Sequence, residues 1–139
     1  MSVIDTDVYV YRALKDSEYH EASKRVLRRV PKWFTPTIVL HELIWVLSEL
    51  LSREEATDYV RALLFHEKVE VIPVVKLDVS SALRSIKSGE VPPSMYNDEI
   101  ILSVAKRIGV ALVTFDRQLI TRASRTGVPV INPYLYAQP

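Results

Sequence analysis

Val3-Ile4-Asp5-Thr6-Asp7-Val8 opens the chain with two β-branched residues, an aspartate, and then residues suited to starting a helix. Val3 and Ile4 suffice for a short buried strand, and a side-chain oxygen of Thr6 or Asp7 can cap a helix running from Val8 to about Leu14. A strand that passes directly into a helix is the first half of a parallel β-α-β unit. The same order recurs near the other end. Residues 110–115 form an apolar strand, Asp116 follows it, 117–126 have helical spacing, and 128–131 read as a last strand. Between these ends the pattern predicts helices over 18–29, from Thr35-Pro36-Thr37 to Leu51, and from the capping box Ser52-Arg53-Glu54-Glu55 to about His66. A strand over 69–75 follows, then a helix capped by Asp78 and ending at Gly89, a loop with Pro92-Pro93, and a helix from Asn97-Asp98 to Gly109. Strands alternating with helices specify a three-layer α/β/α domain with a mostly parallel sheet, here one domain over residues 1–139.

Open parallel sheets bind ligands beyond the carboxyl ends of their strands. Asp5 and Asp116 each follow a strand immediately, so the fold class alone puts both on that edge. Glu42 lies on the helix after Thr37. Thr37, His41 and Ser48 form a polar stripe, and at 100° per residue Glu42 points away from it, inward among Ile38, Val39, Trp45 and Val46. Asp98 sits in the first turn of its helix. Each acid has an ordinary structural use: Asp5 as a cap, Asp98 against the helix dipole, Asp116 as a helix start or the partner of a base, Glu42 in a buried pair with an arginine. If the four converge, however, repulsion forces some to hold protons unless cations neutralise them.

The donor types narrow those cations. The chain has no cysteine, and His20, His41 and His66 are scattered, so zinc is a poor match, whereas carboxylate oxygens suit Mg²⁺ or Mn²⁺. One or two such ions held by carboxylates activate water for in-line attack on a phosphodiester. The charge balance fits: eighteen bases and seventeen acids give +1 overall, but setting the four acids aside leaves +5 for the rest of the surface. Lys24, Arg25, Arg28 and Arg29 gather on one side of the second helix, and Arg117, Arg122 and Arg125 follow Asp116. Either group is a solvated face or a contact to a phosphate backbone. Gly89, Gly109 and Gly127 each end a helix, so there is no glycine-rich phosphate loop. No apolar run is long enough for a membrane span, and the start Met1-Ser2-Val3-Ile4 lacks a charged leader, which predicts a cytoplasmic protein.

Four segments together resemble the PIN-domain ribonucleases: Val3-Ile4-Asp5-Thr6-Asp7-Val8, Thr37-Ile38-Val39-Leu40-His41-Glu42-Leu43, Asn97-Asp98-Glu99-Ile100-Ile101-Leu102-Ser103-Val104-Ala105 and Leu112-Val113-Thr114-Phe115-Asp116. Order and spacing agree over nearly the whole chain, and the single-domain length is similar to VapC-type toxins of toxin-antitoxin pairs. The resemblance implies that Asp5, Glu42, Asp98 and Asp116 bind one or two Mg²⁺ or Mn²⁺ ions and that the Thr114 hydroxyl supports them. It further implies endonucleolytic cleavage of RNA, a homodimer, and a small VapB-like antitoxin whose tail occupies the active-site groove. Asp7 stands where family members often have Asn or Ser and reads as a helix cap or an extra acid behind the ligands. Gln118 stands where another Asp is frequent, which leaves the metal count open. Arg117, Arg122, Arg25 and Arg28 are the candidate RNA contacts. Two other readings are a PIN-like module that binds RNA or protein without cleaving, and a haloacid-dehalogenase-type phosphatase built on Asp5-Thr6-Asp7. The phosphatase lacks support downstream, because 115–139 contain no lysine and no acid except Asp116.

Overall fold

The computed structural model describes residues 1–137. Its centre is a five-stranded, wholly parallel sheet in the order β3-β2-β1-β4-β5, with β1 Ser2–Ile4, β2 Trp33–Pro36, β3 Val69–Ile72, β4 Ala111–Val113 and β5 Val130–Ile131. Seven helices flank it: α1 Thr6–Ala13, α2 His20–Arg29, α3 Thr37–Leu50, α4 Arg53–Leu64, α5 Lys76–Lys87, α6 Tyr96–Ile108 and α7 Arg117–Arg125. Parallel neighbours need a crossover, and the helices supply it on both faces, as the three-layer reading requires. From β1 the chain builds outward through β2 to β3, then returns to lay β4 against the other side of β1. The β1/β4 boundary is therefore the switch point at which such sheets bind ligands.

The central strands are short because they are covered on both faces and need few residues to fill the layers. Val3, Ile4, Leu112 and Val113 are fully buried, and their register places Val3 against Leu112 and Ile4 against Val113. Val8, Val39, Leu43, Leu47, Ile101 and Val104 pack against them from the helices.

The structure corrects several local expectations. Trp33–Pro36 is a central strand, paired with β1 and β3, not the lead-in to a helix. Pro36 is tolerated because it is the last residue of the strand and its φ of −58° suits entry into α3. Asp5 itself caps α1, its carboxylate accepting from Thr6 N at 2.7 Å, so Thr6 and Asp7 are already inside the first turn. Asp78 sits not at the cap of α5 but inside its first turn, fully buried. There it accepts from Val75 N, the Ser103 hydroxyl, and Nε and Nη2 of Arg107, and so ties α5 to α6. The expected strands over 69–75 and 110–115 shorten to Val69–Ile72 and Ala111–Val113.

On α3 the buried stripe is Val39, Leu43 and Leu47, and Trp45, expected inside, is 72% exposed. An α3 made largely of apolar residues has no unique inner face on a helical wheel, and the polar stripe chosen from sequence misled because Thr37 is half-buried, accepting from Val74 N. At the C-terminal end Tyr134 packs into a ring cluster with Tyr19 and Phe115, while Leu135 is 76% exposed.

Candidate metal centre

Local geometry brings the acids to the switch point one at a time. Because Ile4 pairs with Val113, the next residues on the two strands, Asp5 and Thr114, meet: Asp5 N donates to Val113 O at 3.0 Å, and the Thr114 hydroxyl donates to Asp5 Oδ2 at 2.6 Å. Thr114 Oγ1 also accepts from Asp116 N at 3.0 Å. One buried hydroxyl thus connects the acids that follow β1 and β4. Asp116 caps α7, with Oδ1 accepting from Gln118 N and Leu119 N. Glu42, one turn into α3, accepts from the Thr6 hydroxyl at 2.7 Å and from Asn97 Nδ2 at 3.0 Å. No arginine pairs with it among the described residues, so the buried-pair reading fails.

A cavity of about 280 Å³ lies between these elements, lined by Asp5, Thr6, Asp7, Val10, Tyr11, Glu42, Val46, Asp98 and Asp116. It therefore holds all four acids singled out from sequence, together with Asp7, and no basic side chain lines it. Asp7 does not cap α1. Its carboxylate crosses to β4's exit and accepts from Phe115 N with both oxygens at 3.2 Å. Sequence spacing missed that role, which depends on the β1/β4 register, and also missed Thr6 and Asn97 as the groups that hold Glu42. Adjacency was the available signal: Thr6 follows Asp5, and Asn97 precedes Asp98. Replacing Asn97 with Ala is expected to cost roughly 10- to 100-fold in Mn²⁺ affinity with little loss of stability, the usual effect of removing a group that orients a ligand. Isothermal titration and a thermal melt check the pair of expectations.

Burial and mutual repulsion set the electrostatics. Asp5 is pushed up to about 6, first by burial and then by Glu42 and Asp116, against hydrogen bonds from Thr114 and Thr6 that favour its charged form. Asp98 is pushed up to about 7 by burial and by Asp5, Asp116 and Glu42. Burial and the Asp5 charge also hold Asp7 well above the usual carboxylate range. These shifts carry a stability consequence. An unfolded aspartate titrates near 3.9, so between about pH 4 and 7 the folded chain binds more protons at these sites than the unfolded chain. The contribution is fully present below the unfolded value and is lost as pH rises through the folded values. In chelator, the urea midpoint should fall from pH 5 to pH 8, with Asp5 alone accounting for about 1.4 kcal/mol over that interval. Saturating Mg²⁺ should flatten the slope.

The donor set fits a hard divalent cation: all its side-chain ligand atoms are oxygens, and the uncompensated negative charge is what a cation would neutralise. As the side chains stand, no three His, Asp or Glu residues among the described ones are gathered tightly enough to grip one ion. Binding therefore requires at least one carboxylate to swing inward. Asp98 has the freest carboxylate, with no hydrogen bond to it among the described residues.

The four arginines expected to meet RNA separate. Arg122 is mostly buried and engaged with Glu99 and Glu90, each at 3.0 Å, and with Ser85 at 3.3 Å. It is a structural residue, and Glu99 is its counter-ion. Arg28 lines a different pocket, with Trp33 and Lys68. Arg25 donates to Tyr136 O. Arg117 directly follows Asp116, is exposed, and lies over the Tyr134 ring at 4.2 Å.

A family model for the PIN domain matches residues 2–125. The chain belongs to the PIN-domain family. Among curated proteins none matches it, but several solved structures share its fold. VapC20 of Mycobacterium tuberculosis, described as a toxin that cleaves the sarcin-ricin loop, is 18% identical with a TM-score of 0.79, covering 88% of this chain and 95% of that one. VapBC of Salmonella typhimurium, solved bound to DNA, is 18% identical with a TM-score of 0.72, covering 96% and 99%. VapBC2 of Rickettsia felis, bound to a DNA fragment from its promoter, is 19% identical with a TM-score of 0.69, covering 94% and 97%. Membership in the PIN family replaces the phosphatase reading of Asp5-Thr6-Asp7. No helix among the described residues is long and apolar enough to cross a membrane.

Proposed function

We propose that this PIN domain is a divalent-metal-dependent endoribonuclease, the toxin of a VapBC-type pair. The observation that carries the reading is the cavity at the β1/β4 switch point, lined by Asp5, Asp7, Glu42, Asp98 and Asp116 with no basic residue among them. An RNA phosphate cannot approach five carboxylates unless cations intervene, and the same carboxylates are what would hold those cations. Bound Mg²⁺ or Mn²⁺, one ion or two, would supply Lewis acidity toward the phosphodiester and an acidified water. Asp5, Asp98, Asp116 and Glu42 would be the ligands. Thr114 fixes Asp5 and the backbone of Asp116, Thr6 and Asn97 fix Glu42, and Asp7 braces the β4 exit at Phe115. Exposed Arg117, which follows Asp116, would be the base that meets the RNA backbone.

A small VapB-like partner and a second copy of the chain are the proposed protein contacts. α3 supports both. Val46 lines the acid cavity, while its neighbour Trp45 and the nearby Leu50 remain exposed, an apolar surface next to the site that a partner would cover. The cytoplasm, where RNA and antitoxin are available, is the proposed location. Incubation of the purified protein with structured RNA tests the activity, using Mg²⁺ or Mn²⁺ against chelator and Asp5→Asn alongside. Cleavage is expected only with metal and only in the unsubstituted chain. Cleavage that survives both chelator and substitution would sink the reading, and binding without cleavage would favour a non-catalytic module.

A further inference from the structure

A second pocket, also of about 280 Å³, is lined by residues at the amino ends of β2 and β3, the opposite pole of the sheet from the acid cavity. Its charge has the opposite sign. Arg12, Lys24, Arg28 and Lys68 line it against one carboxylate, Glu67. Lys68 is occupied structurally. Its Nζ lies 3.3 to 3.5 Å from the carbonyls of Leu27, Arg28 and Val30, where it answers the negative end of α2. Trp33 Nε1 donates to two of the same carbonyls. The end of the helix is thereby satisfied; Lys24 shares its charge with Glu21 at 3.6 Å on the exposed side of α2, and with it Arg12 and Arg28 set the sign of the pocket.

Two of its groups are held in place without a counter-ion. Arg12 donates from Nη1 to the Tyr59 hydroxyl at 2.8 Å and lies over the rings of Trp33 and Tyr59, yet it has no carboxylate partner among the described residues. His66 stacks on Trp33 at 4.4 Å and 19°, and its Nδ1 accepts from Lys68 N at 3.1 Å. That bond fixes the neutral tautomer with the proton on Nε2, a donor with no acceptor among the described residues. Burial, and then Arg12 and Lys68, disfavour the imidazolium, and Glu67 only partly offsets them. A preoriented guanidinium, two flexible bases and an imidazole N–H around one cavity are the donor set of a phosphate site.

We propose that this pocket binds a phosphate group, from a free nucleotide or from an RNA strand, at a site separate from the acid cavity. The chemistry requires no metal and no cleavage. The test therefore runs in chelator, where the acid cavity repels anions and cannot compete. The probes are inorganic phosphate, AMP, and a short single-stranded RNA with hydroxyl ends. They are titrated into Trp45→Phe protein, so that Trp33 is the sole emitter, with the His66 imidazole resonances followed in parallel by NMR. Saturable changes in both signals are expected, with affinity falling at least about tenfold in Lys24→Ala/Arg28→Ala. Both residues lie outside the acid cavity, so Mn²⁺ binding to that cavity should be unaffected. Response to phosphate and AMP but not to the hydroxyl-ended RNA identifies the source as a nucleotide, and the converse identifies the strand. No saturable change with any probe overturns the proposal, as does a change that persists undiminished in the double variant.

Discussion

Asp5→Asn should abolish RNA cleavage, by about a thousandfold or more, while leaving the protein at least as stable as the parent at pH 8. The two halves have the same origin. Asp5 is 5% exposed and its carboxylate is pushed up to about 6, so at pH 8 the fold bears a charge that burial and neighbouring acids oppose. An asparagine keeps the cap, since its side-chain oxygen can still accept from Thr6 N. Its amide can donate to Thr114 Oγ1, and the threonine hydroxyl is then free to turn toward Asp7 Oδ2, 3.5 Å away. Removing the charge should stabilise the metal-free protein by about 1 to 3 kcal/mol at pH 8. On the proposed function, the activity loss follows from removing a metal ligand and its charge from a centre that would have to neutralise phosphate. Urea unfolding and cleavage assays on one preparation separate the two effects. A variant that is inactive and also much less stable would show that Asp5 serves the fold more than the chemistry.

The largest loss of stability should come from a residue outside the cavity. Asp78 is fully buried and satisfied by four donors, two of them from Arg107, which also donates to Pro73 O at 2.9 Å. Asp78→Ala leaves Arg107 about one-quarter exposed and without its carboxylate, and frees the Ser103 hydroxyl. The expected cost is about 3 to 5 kcal/mol, read from the urea midpoint. Glu54→Ala, at an exposed position, should stay within about 0.5 kcal/mol. Since the α5/α6 contact supports the helix whose first turn holds Asn97 and Asp98, residual activity in Asp78→Ala should track its folded fraction. A loss under 1 kcal/mol would mean that the pair contributes little beyond its own desolvation.

How much of this was legible in the sequence depends on whether a local rule decided the outcome. A strand-aspartate-helix junction occurs twice, and parallel sheets place such junctions on one edge, so the positions of Asp5 and Asp116 followed from pattern alone. The β2 strand did not, because Trp33-Phe34-Thr35-Pro36 is short and carries a proline that only its terminal place in the sheet excuses. The inner face of α3 was also undetermined. With apolar residues on most sides, the wheel could not prefer Leu43 over Trp45, and only packing against the sheet chose. Glu42 reads as facing inward, but the groups that hold it, Thr6 and Asn97, come from different elements. Asp7 shows the same limit: a cap by local rules, it is instead a brace because the β1/β4 register brings Phe115 N within reach. Arg122 reads from sequence as an RNA contact, yet Glu99 and Glu90 surround it in the fold. Long-range pairing of charges is the information a linear pattern lacks.

The acid cavity should take up a divalent cation in exchange for protons. Isothermal titration of Mn²⁺ into the protein, repeated in buffers of different ionisation enthalpy, counts those protons directly. Asp5 and Asp98 hold them up to about 6 and about 7, so binding should release roughly one proton per ion near pH 6 and progressively fewer toward pH 8, while affinity rises over the same range. Asp98→Asn should weaken binding and reduce the release. Absence of Mn²⁺ binding, or binding that releases no protons at pH 6 and is unchanged by Asp98→Asn, would contradict the assignment of this cavity as the metal centre.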